Sequence, residues 1–387
     1  MTVIAASLAK SAASVARGLP AWVYSHPELT RLEYERILKP SWQIACHVSQ
    51  IPNPGDFVTF ELYSDSIIVL RDANGGIRTH RNVCRHRGTR LLEGSGKCLG
   101  RITCPYHGWS YRYDGSLLAT PAKDSFPDLN LREYGLDAVP MEITLGFVWV
   151  CLGTPLPPPP SQVWAPFMDE LAPYQFEQLV PTQTLHLECW NVNWKIAMDN
   201  YLESYHVPIG HPGLNRMFSP DYEDQRGVGN IARGFSWMRP TPSSRWSERI
   251  YQRYVSELTS YLPEPNRRSW RFYSCLPNLG IDVFPEQIDF FQVFPHGPGK
   301  TLVRSAVFGL ADERREMRLV RWLGNRINMQ VNAEDRHLCE RLQRGLADSG
   351  YRPGPLSRIE KWMLQFHDLL RDRIPEFNLP EPPQRFA

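Results

Sequence analysis

Apolar and polar positions divide the chain into two regions with different periods. Residues 57–62 and 66–71 are rich in β-branched and aromatic side chains, and Asp72-Ala73-Asn74-Gly75-Gly76 follows as a hairpin turn. A second hairpin is predicted over 109–118, turning at Asp114-Gly115, and residues 147–152 read as a buried strand. From about Trp42 to Cys151 the pattern predicts a small β domain of short strands. Pro155 and Pro157 to Pro160 then form a stiff, extended connector. Beyond it, 184–189 alternates as a strand and 193–205 is helical; 288–294 and 301–308 are paired antiparallel strands, and 313–346 and 356–373 are long helical stretches. Residues 28–38 are helical too and belong with this later region. Strands and helices without βαβ alternation predict an α+β fold. The expected division is an N-terminal helical segment (1–40) packing on the later domain, a β domain (41–155) and a larger domain (156–387). No internal repeat is visible.

Composition narrows the picture. A length of 387 residues suits two or three domains, and 42% apolar residues supply a sizeable core. A net charge of +2 argues against nucleic acid or an anionic membrane as the main partner. No apolar run approaches the roughly twenty residues needed to span a membrane. Residues 1–10 lack a charged stretch followed by a long apolar core, so they predict a short helix or frayed end and not a signal peptide. Cys46, Cys98, Cys151, Cys189, Cys275 and Cys339 show no paired framework and read as reduced thiols. The expected compartment is the cytoplasm.

The remaining two cysteines carry chemistry. Cys84-Arg85-His86 and Cys104-Pro105-Tyr106-His107 lie with seventeen residues between His86 and Cys104. A C-x-H followed by C-x-x-H is the ligand set of a Rieske [2Fe–2S] cluster, in which two cysteines hold one iron and two neutral imidazoles hold the other. The imidazoles raise the potential above that of an all-cysteine cluster. Zinc is the competing reading, but structural zinc motifs usually open with C-x2-4-C and pair histidines as H-x3-5-H.

Electrons from a cluster need a destination. In the run from Asn193 to Gly213, Glu203 and His206 lie three apart, which would put them on one helix face. His206 and His211 lie five apart, and Pro208 and Gly210 break the helix so that His211 can swing back beside His206. Two imidazoles so joined suit a 2-His-1-carboxylate iron site; two ordinary histidines are the plainer alternative. For the carboxylate, the helical stripe Val331, Leu338, Leu342, Leu346 carries Asp335 on its line, with Glu334 toward its edge and Glu340 opposite. A carboxylate on an apolar stripe is costly to bury unless it meets a cation, so Asp335 is the expected third ligand; a solvated or arginine-paired Asp335 is the alternative.

These residues resemble the terminal oxygenase of Rieske non-haem iron systems, from about residue 20 onward. The 199–213 and 334–346 runs are most similar to the branch that oxidises quaternary ammonium compounds, such as choline, carnitine, glycine-betaine and stachydrine oxygenases. The resemblance implies that Cys84, His86, Cys104 and His107 hold the cluster and that His206, His211 and Asp335 hold a mononuclear Fe(II). It also implies that Glu203 bridges the two centres, as a glutamate where aromatic-ring dioxygenases usually have aspartate. A helix-grip catalytic fold, a homotrimer passing electrons between subunits, and dioxygen as co-substrate are implied as well. Electrons from NAD(P)H would arrive only indirectly, through a separate flavin and iron–sulfur reductase or a ferredoxin, since no Rossmann-type glycine motif stands in a strand–helix context here. Tyr201, Tyr205, Phe218, Phe235, Trp237 and Phe290 are available to form a cation–π cage, or simply to fill the core.

Three functions fit these residues. One is a monooxygenase acting on a C–H bond, with oxidative demethylation when that bond is on an N-methyl or O-methyl carbon. Another is an aromatic-ring hydroxylase or dioxygenase acting on an aryl acid. The third is an electron-transfer Rieske protein with no second iron, which the His206, His211 and Asp335 set argues against.

Overall fold

The computed structural model describes residues 16–219, 223–224 and 227–386; the predicted start of the chain, residues 1–10, lies outside them. The first region is built of three small antiparallel sheets. One is ordered Ile77–Arg81, Asp65–Arg71, Asp56–Leu62, Ser95–Lys97. A second runs Ile102–Thr103, Ser110–Tyr111, Leu117–Ala119, and a third Gln43–His47, Phe147–Val150, Met141–Thr144. Asp65–Arg71 shows why so many apolar residues are needed. Its alternate side chains feed two different cores: Ile67 and Val69 pack with Phe60 and Val148, while Ile68 and Leu70 pack with Ile102, Trp109 and Tyr111 beneath the cysteine–histidine loops.

The second region holds an eight-stranded antiparallel sheet. Its main path runs Val180–Pro181, Thr301–Gly309, Ile288–Pro295, Leu279–Val283, Ser269–Cys275, Ile231–Trp237, Glu223–Asp224, and His186–Trp190 also pairs with Thr301–Gly309. One face of this sheet presents Ile281, Val283, Ile288, Phe290 and Phe308 to Phe147 and Trp149 of the first region. Arg304 crosses the seam, donating to the carbonyls of Ile44 (3.0 Å) and Ala45 (2.6 Å) and to Gln292 (2.7 Å). The other face meets the helices, with Val293, Val303 and Ala232 packing on Trp194, Ile196, Cys339 and Phe366. The N-terminal segment joins that same core through Leu19, Val23, Leu29, Leu32 and Ile37. Its Glu33 accepts from Trp194 Nε1 (2.7 Å) and pairs with the buried Lys195.

Three elements differ from the sequence pattern. Residues 28–38 are a short α-helix, Leu29–Glu33, that widens into a π turn at Tyr34–Leu38. The last proline of the connector opens the helix Pro160–Trp164, where a missing N–H costs nothing. The expected helix over 193–205 runs only from Trp194 to Tyr201. Among the described residues, no helix is long and apolar enough to cross a membrane.

Candidate metal centres

The two cysteine–histidine loops have the same backbone. The Cys84 N–H donates to Thr89 O (2.8 Å) and the Gly88 N–H to Cys84 O (3.0 Å). In the second loop Cys104 N–H donates to Trp109 O (2.8 Å) and Gly108 N–H to Cys104 O (3.1 Å). Gly88 and Gly108 both sit at positive φ, +76° and +74°, where a side chain would be strained, so glycine four residues after each cysteine closes each turn. His86 occupies the second position after its cysteine and His107 the third, which brings their rings to a centroid distance of 4.7 Å. The Cys84 and Cys104 thiols are buried and lie within hydrogen-bonding reach of each other. Tyr111 Oη lies 3.2 Å from Cys84 Sγ and accepts from the Arg85 N–H at 3.0 Å. His86 Nδ1 is buried and has no hydrogen-bond partner. Two paired thiols and an orphaned imidazole nitrogen fit a cluster that takes two sulfurs and two nitrogens.

The second centre is assembled from distant elements. Asn193 caps the helix Trp194–Tyr201 by accepting from the Lys195 N–H (3.1 Å). Asp199 anchors it, accepting from Tyr24 Oη (2.9 Å) and pairing with His367 Nε2 (2.8 Å). The helix stops because Glu203 turns its carboxylate onto the next turn of chain. Oε2 accepts from the N–H groups of Tyr205 and of His206 (3.1 Å), and Oε1 holds His206 Nδ1. Glu203 and His206 therefore do not share a helix face; the glutamate acts as a cap for the segment that carries the histidine. After the short helix Val207–Gly210, His211 folds back so that the two Nε2 atoms lie 3.2 Å apart.

The long helix Arg315–Leu346 supplies the carboxylate. Asp335 Oδ1 lies 3.0 Å from His211 Nε2 and 3.4 Å from His206 Nε2. Among the described residues these three form the one group of His, Cys, Asp or Glu side chains whose ligand atoms lie within 4.8 Å of one another. The stripe that presents Asp335 differs from the one read in the sequence. Leu346 is buried as read, but Leu342 is 48% exposed and Cys339 is buried in its place, because the inner line continues from Ile327 at intervals of three and four that pass through Asp335 and Cys339. Sequence reasoning also missed the role of Glu334, which holds His211 Nδ1 at 2.9 Å.

The donor set is informative about charge. If both Nδ1 hydrogens go to carboxylates, both Nε2 lone pairs point at the Asp335 oxygen, and three acceptors converge with no donor between them. Such a point requires either protons or a cation. Burial disfavours a charged His206, but the Asp335 and Glu203 carboxylates outweigh it and raise its pKa to about 9. Burial raises Asp335, while the two imidazoles pull it down further, to about 2. A divalent ion would replace those protons and be held by two neutral nitrogens and one carboxylate oxygen.

The three groups open on a cavity of about 700 Å³. Of the aromatic residues considered for a cage, Tyr201, Phe235 and Phe290 border it, but the strand register puts the side chains of Phe235 and Phe290 on the sheet's other face, with Val283 and Phe308. Tyr205 is exposed, Phe218 is buried in a separate core beside Trp270, and Trp237 is not part of the lining. Two buried acids, Asp282 and Asp289, line the cavity as well and were not singled out in the sequence. Each stands between apolar neighbours in a strand (Ile281 and Val283, Ile288 and Phe290), and that one-sided alternation was the available signal.

A family model described as the ring hydroxylating alpha subunit, catalytic domain, matches residues 176–376, and one for the Rieske [2Fe–2S] domain matches 41–135. The chain is 30% identical to the glycine betaine monooxygenase oxygenase subunit of Chromohalobacter salexigens, over 92% of this chain and 85% of that protein. It is 26% identical to the carnitine monooxygenase oxygenase subunit of Escherichia coli, over 86% of this chain and 85% of that one. The solved structure of the quaternary ammonium Rieske monooxygenase CntA with L-carnitine superposes with a TM-score of 0.76 at 24% identity, covering 93% of this chain and 96% of that one. Naphthalene 1,2-dioxygenase from Rhodococcus sp. bound to indole gives 0.73 at 23% identity, covering 92% and 93%. Both of these structural likenesses concern the fold.

Proposed function

The chain belongs to the family of ring-hydroxylating oxygenase alpha subunits that carry a Rieske domain, and from that premise we propose that it is a monooxygenase acting on a small, N-methylated cationic substrate. The observation that carries this reading is the convergence of His206 Nε2, His211 Nε2 and Asp335 Oδ1 on one point at the wall of a 700 Å³ cavity, in a chain that also holds the paired cysteine–histidine loops. The relatives named for glycine betaine and carnitine favour a quaternary ammonium head over an aryl acid.

Cys84 and Cys104 would hold one iron of the cluster and His86 and His107 the other; His206, His211 and Asp335 would hold the mononuclear Fe(II). Iron bound there supplies dioxygen activation, so that one oxygen atom enters a substrate C–H bond and the other leaves as water, with two electrons and two protons consumed. The protein's own groups position this chemistry. Glu203 and Glu334 fix the tautomer and ring angle of the two histidines by taking their Nδ1 hydrogens. Hydroxylation of an N-methyl carbon gives a hemiaminal that loses formaldehyde.

Electrons would come from NAD(P)H through a separate flavin and iron–sulfur reductase or a ferredoxin, and pass from one subunit's cluster to a neighbour's iron in a homotrimer. Tyr205 and Ile209, 64% and 88% exposed on the segment that carries His206, support such a docking surface. Glu203, which already holds His206, would be the bridge. The six cysteines outside the cluster loops are free thiols, in keeping with a reducing compartment such as the cytoplasm. The test is a substrate screen with a surrogate reductase. Formaldehyde released from quaternary amines supports the reading, and hydroxylated product from aryl acids alone would replace it with the ring-hydroxylase alternative.

A further inference from the structure

We infer that Asp282 and Asp289 are the counter-ions that select and seat the cationic end of the substrate. The inference deepens the monooxygenase reading and rests on it in one respect, that the cavity beside His206, His211 and Asp335 is the substrate's.

The two aspartates face each other. Leu279–Val283 and Ile288–Pro295 are neighbouring antiparallel strands, and Asp282 and Asp289 are directly opposite in their register. Side chains alternate across a strand, so while Ile281, Val283, Ile288 and Phe290 enter the core on one face, the two carboxylates share the other, where the cavity lies. Like charges directly opposite each other destabilise a sheet, and these are also removed from water, at 8% and 7% exposure. Among the described residues neither aspartate has a salt bridge. Arg233 and Arg336, which also line the cavity, are paired with Glu170 and with Glu188 and Glu340.

The hydrogen bonds present are neutral and incomplete. Tyr201 Oη donates to Asp282 Oδ1 (2.6 Å), Asn328 Nδ2 to Asp289 Oδ2 (2.7 Å), and Gln287 Nε2 to Asp289 Oδ1 (3.3 Å). The second oxygen of Asp282 has no hydrogen-bond donor among the described residues, in a side chain more than nine-tenths buried that lines the cavity. Burial raises the pKa of both acids, that of Asp282 to about 7, and each also feels a neighbouring carboxylate. A buried carboxylate pair with an open acceptor and no resident cation is stabilised by a cation that the protein does not itself supply.

Beside the pair stand aromatic faces that suit a methylated cation. Tyr201, the donor to Asp282, packs edge-on to Phe291 at 4.6 Å between centroids, and both line the cavity with Phe272, which pairs directly with Asp282 in the sheet. A quaternary ammonium has no N–H to donate, so it gains from net charge and ring faces and not from directed hydrogen bonds. An aryl acid would bring a third negative charge to this wall. The carboxylates therefore set the sign of the substrate's charge, and the rings accept its methyl groups.

The experiment compares choline with its uncharged isostere, in which a quaternary carbon replaces the nitrogen, by calorimetry on the enzyme with both metal sites filled. The wild-type protein should bind the cation at least about tenfold more tightly. In the Asp282→Asn, Asp289→Asn double variant that preference should fall to within about twofold, with cluster spectrum and iron content unchanged. If the double variant loses iron, the two single variants decide, each showing a smaller loss of preference. A wild-type enzyme without the preference, or variants that keep it, would overturn the inference. The measurement needs no turnover. An enzyme that binds the cation through these residues yet oxidises no amine would break the monooxygenase reading and leave this one standing.

Discussion

The two metal centres are built on opposite plans. The cysteine–histidine loops are main-chain structures: each cysteine is fixed by two backbone hydrogen bonds within five residues, and the two turns superimpose in pattern although their histidines differ in position. The His206, His211 and Asp335 centre is a side-chain structure. Its proposed ligands come from a broken helix and from a long helix more than a hundred residues away, and carboxylates from both hold the rings. The difference suits what each must do. A cluster that only accepts and passes electrons is best served by a rigid, closed cradle, while an iron that meets dioxygen needs an open side and a cavity. It also predicts where each can be damaged.

The largest expected effects separate the plans directly. Cys104→Ser removes one of four cluster ligands; iron should fall from three per chain to about one, with loss of the visible and EPR signature. Asp335→Ala should leave that signature intact, lower iron to about two per chain and abolish turnover. If Asp335→Ala keeps its third iron while Glu334→Ala loses it, the two adjacent carboxylates have been assigned in the wrong order.

A finer comparison lies within the second centre. Glu203 and Glu334 make the same kind of contact, one to each histidine, so Glu203→Gln and Glu334→Gln should each weaken iron binding by about 10–100-fold. Only Glu203 belongs to the segment that carries the exposed Tyr205 and Ile209, and only Glu203→Gln should slow cluster oxidation in a single turnover started from reduced, iron-replete enzyme. Equal slowing in both variants would make electron delivery a matter of ring orientation and not of a bridge.

These plans also explain what the sequence disclosed. A centre organised by local turns keeps its proposed ligands within two short motifs, so Cys84, His86, Cys104 and His107 could be read as a set, and the structure brings their loops together. The convergence of His206 and His211 could be read from their spacing, and Asp335 was chosen from an apolar line of which Leu342 is in fact exposed. What the sequence hid was non-local or depended on a helix end. Nothing in 193–205 marks a stop after Tyr201, because the residue that ends the helix, Glu203, is itself a good helix former. Glu334 looked like a stripe-edge carboxylate until His211 was brought to it. Asp282 and Asp289 lie in strands whose pairing had to be known before the two could be seen facing each other.

Tyr111 offers a smaller test on the cluster side. Its hydroxyl reaches Cys84 Sγ at 3.2 Å. A hydrogen bond to a cluster sulfur favours the more electron-rich reduced state, so Tyr111→Phe should lower the potential with iron content unchanged. If the bond is worth about 1 kcal/mol in that state alone, the shift in a one-electron couple is about 40 mV, readable by protein-film voltammetry. An unchanged potential would assign the tyrosine to packing only.

The smallest effect is one of stability, on the side of the oxygen-facing cavity. Asp282 has a carboxyl raised to about 7 by burial, against about 3.9 in an unfolded chain. Between those values the folded protein binds more protons than the unfolded one, so this group makes stability fall as pH climbs from about 4 to 7, with the loss complete above 7. An amide does not titrate and can keep the hydrogen bond from Tyr201. Asp289, raised first by burial and then by Asp282's charge, is relieved in the same variant. Asp282→Asn should therefore raise the melting temperature by about a few degrees at pH 8, and by less at pH 5.5. Thermal melts across that range read the difference. A gap that stays constant with pH, or a variant less stable at pH 8, would mean that Asp282 is comfortably ionised in the empty cavity. The carboxylate would then be held by the fold, not kept in waiting for a cation.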